Sequence, residues 1–156
     1  MEIRLAVIND LKSICKLYSA FFKYHAKMQP FYCSPAEESG EYPQSVIESE
    51  TEDIIVATEG DDIIGILHII EKITSPYPSV VPHKYAEIMD IFVTETFRRN
   101  GVGKMLIIAA EEWAKSRGLE YLELNVIHEN TGAFKFYRRN EFEPVTYKMR
   151  RKIAKQ

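Results

Sequence analysis

The chain is short of cysteine, of net charge and of long apolar runs, and each shortage excludes something. Its 156 residues include 2 cysteines and 1 tryptophan, and the formal charge at pH 7 is only -3. Cys15 and Cys33 stand singly, without the paired spacing of a zinc site. They read as idle thiols of a reducing compartment, and no metal is expected. A charge this small excludes the strong positive field that a nucleic-acid partner requires. No apolar run reaches the ~20 residues that cross a bilayer. Met1-Glu2-Ile3-Arg4 does not open like a secretory leader, so a cytoplasmic protein with no membrane partner is the expectation. The basic run Lys148-Met149-Arg150-Arg151-Lys152 alternates as a solvated strand face does and lacks the interleaved aromatics of a nucleic-acid patch.

What is present suits one packed domain over residues 1–156: 46% of residues are hydrophobic and 28% charged, enough for a core at this length. Ile3, Leu5 and Val7 alternate with less apolar neighbours as in a half-buried strand. Asn9 or Asp10 is placed to cap a helix whose apolar stripe runs Leu11, Ile14, Cys15, Leu17, Tyr18, Phe21, Phe22, with His25 as a polar residue near its end. Residues 26–50 lack that periodicity and read as a covering element. Within them Ser34-Pro35-Ala36-Glu37 has the form of a capping box, which predicts a short helix interrupted by Gly40 and Pro43, with a second turn following from Pro43 to Ser49. Residues 53–58 and 63–70 are apolar strands joined by a Glu59-Gly60-Asp61-Asp62 hairpin turn. His68 lies inside the second of these and reads as a satisfied core histidine. The prolines at 76, 78 and 82 make 74–83 an irregular loop carrying His83. A strand over 85–93, a helix over 104–117 ended by Arg117-Gly118 and a strand over 119–126 form a β-α-β unit, which predicts two parallel strands. His128 reads as a turn residue before a last helix over 129–139, and 142–145 and 147–153 read as closing strands. The fold class is α+β: a mixed, mostly antiparallel sheet of six to seven strands with helices on both faces.

The most informative stretch is Arg98-Arg99-Asn100-Gly101-Val102-Gly103, between a strand and a helix. Glycines there let backbone approach a ligand, the first amides of a helix lack intrahelical partners, and the helix dipole adds positive potential. Two arginines add charge-assisted donors. Lys104 stands just inside the helix, either as a further phosphate partner or as an exposed lysine. The alternative is an ordinary glycine turn opening a core helix; strand, arginines and helix together favour an anion site.

With these residues in view the chain resembles the GNAT superfamily of N-acetyltransferases. Arg98-x-x-Gly101-x-Gly103 matches the family's acyl-CoA pyrophosphate signature, and Asn130-x-x-Ala133-x-x-Phe136-Tyr137 matches a second signature downstream. The family places a glycine just before the aromatic that follows this helix; here the aromatic is Phe142 and Glu141 precedes it, with Asn140 available to stop the helix instead. The resemblance implies that strand 85–93 splays from strand 119–126, and that acetyl-CoA enters the gap. Its pantetheine arm would pair with backbone at Ile91, Phe92 and Val93, and its pyrophosphate would meet Arg98, Arg99, Asn100, Gly101, Val102, Gly103 and Lys104. Asn130 would bond the pantetheine or cap its helix. A homodimer is a family-level expectation, and a small-molecule amine or peptide amine is the implied acceptor.

Transfer of an acyl group from a thioester to an amine poses two problems. A lysine-like amine, with a pKa of about 10.4, is mostly protonated near neutral pH and must lose a proton to attack. The leaving thiolate must also be protonated. Asn130, Phe134 and Tyr137 are spaced to share one helix face, and in similar enzymes the tyrosine at the position of Tyr137 protonates the sulfur; a packing tyrosine is the alternative. Glu87 precedes Gly101 by the interval that separates the base from the first glycine in histone-type members, which makes it the candidate base, against Asp90, His83 or ordered water. Strict alternation points Glu87 and Asp90 to opposite faces. A different function class, a non-catalytic acyl-CoA-binding module on the same fold, predicts tight CoA binding without turnover.

Overall fold

The computed structural model describes residues 1–154. Its strands are β1 (Glu2–Leu5), β2 (Glu52–Glu59), β3 (Asp62–Ile73), β4 (Lys84–Val93) and β5 (Leu122–Leu124). Its helices are α1 (Leu11–Met28), α2 (Glu41–Ile47), α3 (Val102–Ser116) and α4 (Thr131–Arg139). The five strands form one sheet in chain order, antiparallel from β1 to β4 and parallel between β4 and β5. The mixed, mostly antiparallel class therefore stands, with fewer strands than expected. No helix among the described residues is long and apolar enough to cross a membrane.

Burial explains the strand sequences. β2 and β3 are covered on both faces, so they read as continuous apolar runs and not as alternating ones. Ile54, Val56, Ile63 and Ile66 pack under α1 and α2 with Ile14, Tyr18, Phe21 and Val46. Ile55, Ala57, Ile64, Leu67 and Ile69 pack under α3 with Val102, Leu106, Ala110 and Trp113. The far end of α3 is clamped to the sheet. Arg117 lies over the Trp113 ring at 4.2 Å and pairs with Asp53 and Glu71, while the Trp113 indole N–H donates to Asp53 at 2.8 Å.

Four sequence readings are corrected. Ser34-Pro35-Ala36-Glu37 is not helical, because its neighbours bond elsewhere: the Glu38 amide donates to Ser19 Oγ and the Gly40 amide to the Glu38 carboxylate. The helix starts instead after Gly40, and Pro43 sits in its first turn, where an amide proton would have no partner. Asp10 does not cap α1; its carboxylate turns back to the Val7 amide and pairs with Arg4. Among the described residues, 142–145 and 147–153 pair with no strand and the sheet ends at β5. A ladder needs a neighbouring edge, and alternation alone cannot supply one. Finally, β3 pairs His68 with Asp90 but Ile69 with Ile88, so Met89 is an extra residue in β4. This bulge resets the alternation. Ile70 and His68 share a face of β3, so their partners Glu87 and Asp90 share a face of β4, toward α1 and not on opposite sides.

α4 crosses α3 at Gly103, where an added Cβ would lie 3.1 Å from Phe136 Cζ. Gly103→Val is therefore expected to push the Phe136 ring out of its seat and cost about 1–3 kcal/mol. Gly103→Ala should cost less, since alanine favours the helix. Urea unfolding of both variants checks the order.

Candidate active site

Three residue pairs join β4 to β5, ending at Ile88 and Leu124. Beyond them the bulge and the end of β5 let the strands part, as the resemblance implied. A cleft of about 90 Å³ opens between Met89–Phe92 and Leu124–Ile127, floored by Asn130, Ala133 and Tyr137 of α4 and flanked by Phe21, Tyr24 and His25 of α1.

Backbone polarity on the β4 wall follows from the ladder. The Thr94 amide donates to the Ile64 carbonyl of β3, and antiparallel bonding alternates along a strand. Phe92 therefore turns its N–H and C=O to β3, while Ile91 and Val93 turn theirs to the parted edge. The expectation that Phe92 offers backbone to the cleft is corrected; Ile91 and Val93 alone do so, and Arg98 Nε already donates to the Val93 carbonyl at 2.9 Å.

The turn between β4 and α3 presents free backbone donors. Gly101 takes φ +81° as the residue before α3, and Arg99 takes φ +65°. The amides of residues 99 to 104 have no acceptor among the described residues; the first α3 bond is Met105 N–H to Gly101 C=O. These donors gather at the positive end of the helix. Arg99, Asn100 and Lys104 are exposed around them. Arg98 is held more firmly: its guanidinium lies 5.0 Å from the Tyr24 ring centre and 5.3 Å from that of Phe92. Contact with two rings fixes its direction.

In the cleft, the Tyr137 ring is buried against Phe136 and Phe142. Among the described residues its hydroxyl has no hydrogen-bond partner and no buried side-chain polar atom is left unsatisfied, so the hydroxyl reaches the cleft. Burial first, and the negative charge of Asp90 second, push its pKa up to about 12. The shared helix face is Asn130, Ala133 and Tyr137; Phe134 points outward, a second correction to spacing. Asn130 uses its carbonyl oxygen to cap α4, accepting from the Ala133 amide at 3.1 Å, and still lines the cleft. At the other end of α4, Glu141 itself takes the left-handed conformation (φ +67°) that the family gives to glycine. Asn140 remains at φ -102° and donates its side-chain amide to Phe136 O.

Asp90 lines the cleft; Glu87 does not, and is engaged by Lys72 at 3.4 Å and Asn125 at 3.4 Å. Behind Asp90 lies a buried polar network. Tyr18 donates to Asp90 at 3.4 Å, and His68 bridges Tyr42 at 2.8 Å and Glu52 at 2.7 Å, with Asp90 3.8 Å from its ring. His68 is thus the satisfied core residue its sequence context suggested. His83 pairs with Glu120 beside the stacked Tyr85 and Tyr121 rings, away from the cleft, and His128 is exposed. Sequence reasoning passed over His25, whose ring lies tilted against Phe21 with centroids 4.1 Å apart and which lines the cleft, its pKa lowered by burial. The signal was there: His25 stands four residues after Phe21 and so continues the apolar stripe.

Residues 11–142 match the model of the acetyltransferase (GNAT) family. An uncharacterized N-acetyltransferase of Methanocaldococcus jannaschii is 30% identical over 141 residues, which are 90% of this chain and 60% of that protein. The Bacillus halodurans protein BH1408, solved as a point mutant, superposes with a TM-score of 0.93 at 23% identity over 99% of this chain and all of its own. Two aminoglycoside acetyltransferases also share the fold. One, from a soil metagenomic sample, is in complex with sisomicin (TM-score 0.73, 22% identity, 98% of this chain, 96% of that one). The other is in complex with CoA (TM-score 0.71, 20% identity, 96% and 99%). The signature turn, the parted strands and the matched residues agree: this chain belongs to the GNAT family of acetyltransferases.

Proposed function

We propose that this chain, as one acyltransferase domain, moves an acetyl group from acetyl-CoA to a primary amine of a small molecule or peptide, by direct attack with both substrates bound. The observation that carries the reading is the set of six unpartnered amides at 99–104 standing over a cleft into which a buried tyrosine hydroxyl projects. The turn suits a pyrophosphate: donors converge, a helix dipole adds to them, and Arg98, Arg99 and Lys104 supply charge. Ile91 and Val93 offer a strand edge to an amide-bearing arm such as pantetheine. The CoA-bound and sisomicin-bound neighbours support a CoA donor and a cationic small-molecule acceptor.

Asp90 and Glu87 face the acceptor side. Asp90 borders the cleft with Tyr137, so we assign to it the proton shed by the attacking ammonium, with Glu87 as the route through water. The neutral nitrogen attacks the thioester carbonyl carbon, the carbon–sulfur bond breaks, and Tyr137 gives its phenolic proton to the departing sulfur. A phenol with a pKa near 12 holds that proton throughout the working range. The balance is one proton taken by Asp90 and one given by Tyr137, restored through solvent after product leaves.

A screen of primary amines with detection of released thiol tests the reading; tight CoA binding with no turnover on any amine would refute it. Tyr137→Phe should keep CoA affinity and lower kcat by about 10²-fold or more. Because the folded-state pKa is raised, the acid form is complete below pH 10 and lost only through about 12. The wild-type to Tyr137→Phe rate ratio should therefore stay constant up to pH 10. Asp90→Asn should lower kcat by about 10²-fold, and Glu87→Gln should lower it less; the reverse order moves the base to Glu87. Gly101→Glu places a strained, negative side chain in the turn and should weaken CoA binding about tenfold or more by calorimetry.

A further inference from the structure

The transfer steps leave one buried polar side chain unused. His68 is 2% exposed and shares its face of the sheet with Ile54, Val56 and Ile66. A titratable ring and two carboxylates beside an apolar layer destabilise a fold unless each is paired. Here each is paired with another titratable group, and groups so placed gather at functional sites.

His68 stands opposite Asp90 in the β3–β4 ladder, and Glu52 lies two residues along β2 from Ile54, its other neighbour. Glu52 Oε2 is 2.7 Å from Nε2, the Tyr42 hydroxyl is 2.8 Å from Nδ1, and Asp90 Oδ2 is 3.8 Å from the same Nδ1. In the neutral ring Nε2–H donates to Glu52 while Nδ1 accepts from Tyr42. A hydroxyl also accepts, so Nδ1 can take a proton when Tyr42 turns its own aside. The 3.8 Å gap to Asp90 is about 1 Å beyond hydrogen-bond length, and the Asp90 side chain must turn to close it. An imidazolium formed there has a carboxylate at each nitrogen. Among the described residues no lysine or arginine pairs with Glu52 or Asp90. Tyr18 of α1 donates to Asp90, and Glu38, in the stretch before α2, adds negative charge near Tyr18 and Tyr42. Burial pushes both phenols up, so both stay protonated at neutral pH.

The step at attack accounts for one proton, but the acceptor nitrogen sheds two. One leaves the ammonium before attack, and one leaves the adduct as the amide forms. Asp90 is the one carboxylate lining the cleft among the described residues. It holds a single proton and must be empty again before the amide forms. We infer that His68 takes the first proton from Asp90 at Nδ1 and holds it until product leaves. Asp90 then takes the second proton as the carbon–sulfur bond breaks, and Tyr137 gives its own to sulfur. Once product has left, the Asp90 proton restores Tyr137 through solvent, and His68 returns its proton by way of Asp90 to water. Two protons leave nitrogen, one ends on sulfur and one in solvent. The same ring nitrogen receives and returns the proton, so the ring keeps its place. His68 meets no substrate and acts through Asp90 alone. The inference rests on the transfer reading and gives that site a place to keep a proton.

The test compares two acceptors. One is an amine that the thiol-release screen identifies. The other is its analogue fluorinated beside the amine-bearing carbon, which is neutral at the assay pH and sheds one proton only. His68→Gln should lower kcat about tenfold or more on the first and less than about threefold on the second, with the KM for acetyl-CoA unchanged. Raising the pH toward the pKa of the first amine should narrow its loss in the same way. Equal losses on both acceptors mark a merely structural histidine and overturn the inference. Glu52→Gln removes the charge at the far ring nitrogen, should show the same split, and decides if His68→Gln fails to fold. An unaltered chain that turns over no amine overturns the transfer reading and the proton store together. Turnover without the split overturns the store alone.

Discussion

The bonding between β4 and β5 stops after three residue pairs, and the site depends on that stop. One extra residue, Met89, shifts the register of β4 against β3, and β5 is too short to follow β4 further. Two parallel strands that begin as a continuous ladder then become the walls of a slot. The slot has polar backbone on one side, from Ile91 and Val93, because bonding to β3 consumes only alternate residues. Had the ladder continued, those groups would be spent on β5 and Tyr137 would be an ordinary core residue. The same extra residue turns Asp90 toward α1, so one insertion creates the opening and aims a carboxylate at it.

The two halves of the site are held by different physics. The glycine turn is shaped by backbone: a left-handed Gly101, a left-handed Arg99 and a helix that leaves its first amides free. The side of the cleft toward α1 is shaped by buried polar side chains. Glu52, His68 and Tyr42 bond in series, and Tyr18 with its strongly raised pKa stays a donor to Asp90. Each buried polar group there has a partner, which in a low-dielectric interior fixes a unique arrangement. Arg98 joins the halves, since it touches the Val93 carbonyl, the Phe92 ring and Tyr24 of α1 at once.

How much of this was legible in the sequence depended on whether the signal was local. The glycine turn, the hairpin at Gly60, the Arg117-Gly118 helix stop and the parallel pairing of β4 with β5 all follow from neighbouring residues or from a short crossover, and all are present. Tyr137 was reachable through its motif. The misses were non-local. Ser34-Pro35-Ala36-Glu37 carries a sound capping pattern, but Ser19 of α1 captures the Glu38 amide from a distance in sequence. Strict alternation misplaced Asp90 because a bulge has no marker in Glu87-Ile88-Met89-Asp90. His25 was set aside as polar although its position on the stripe was apolar. The strands expected after residue 141 are strand-like in composition, but a ladder is a property of two segments and only one of them is in view.

The clamp at the end of α3 has a mechanical consequence. Arg117 and Trp113 tie that end of the helix to Asp53 of β2 and Glu71 of β3, half-buried residues that flank the buried runs of their strands. The helix is therefore a strut with a fixed foot, and its head, at Gly101, is a stationary reference point.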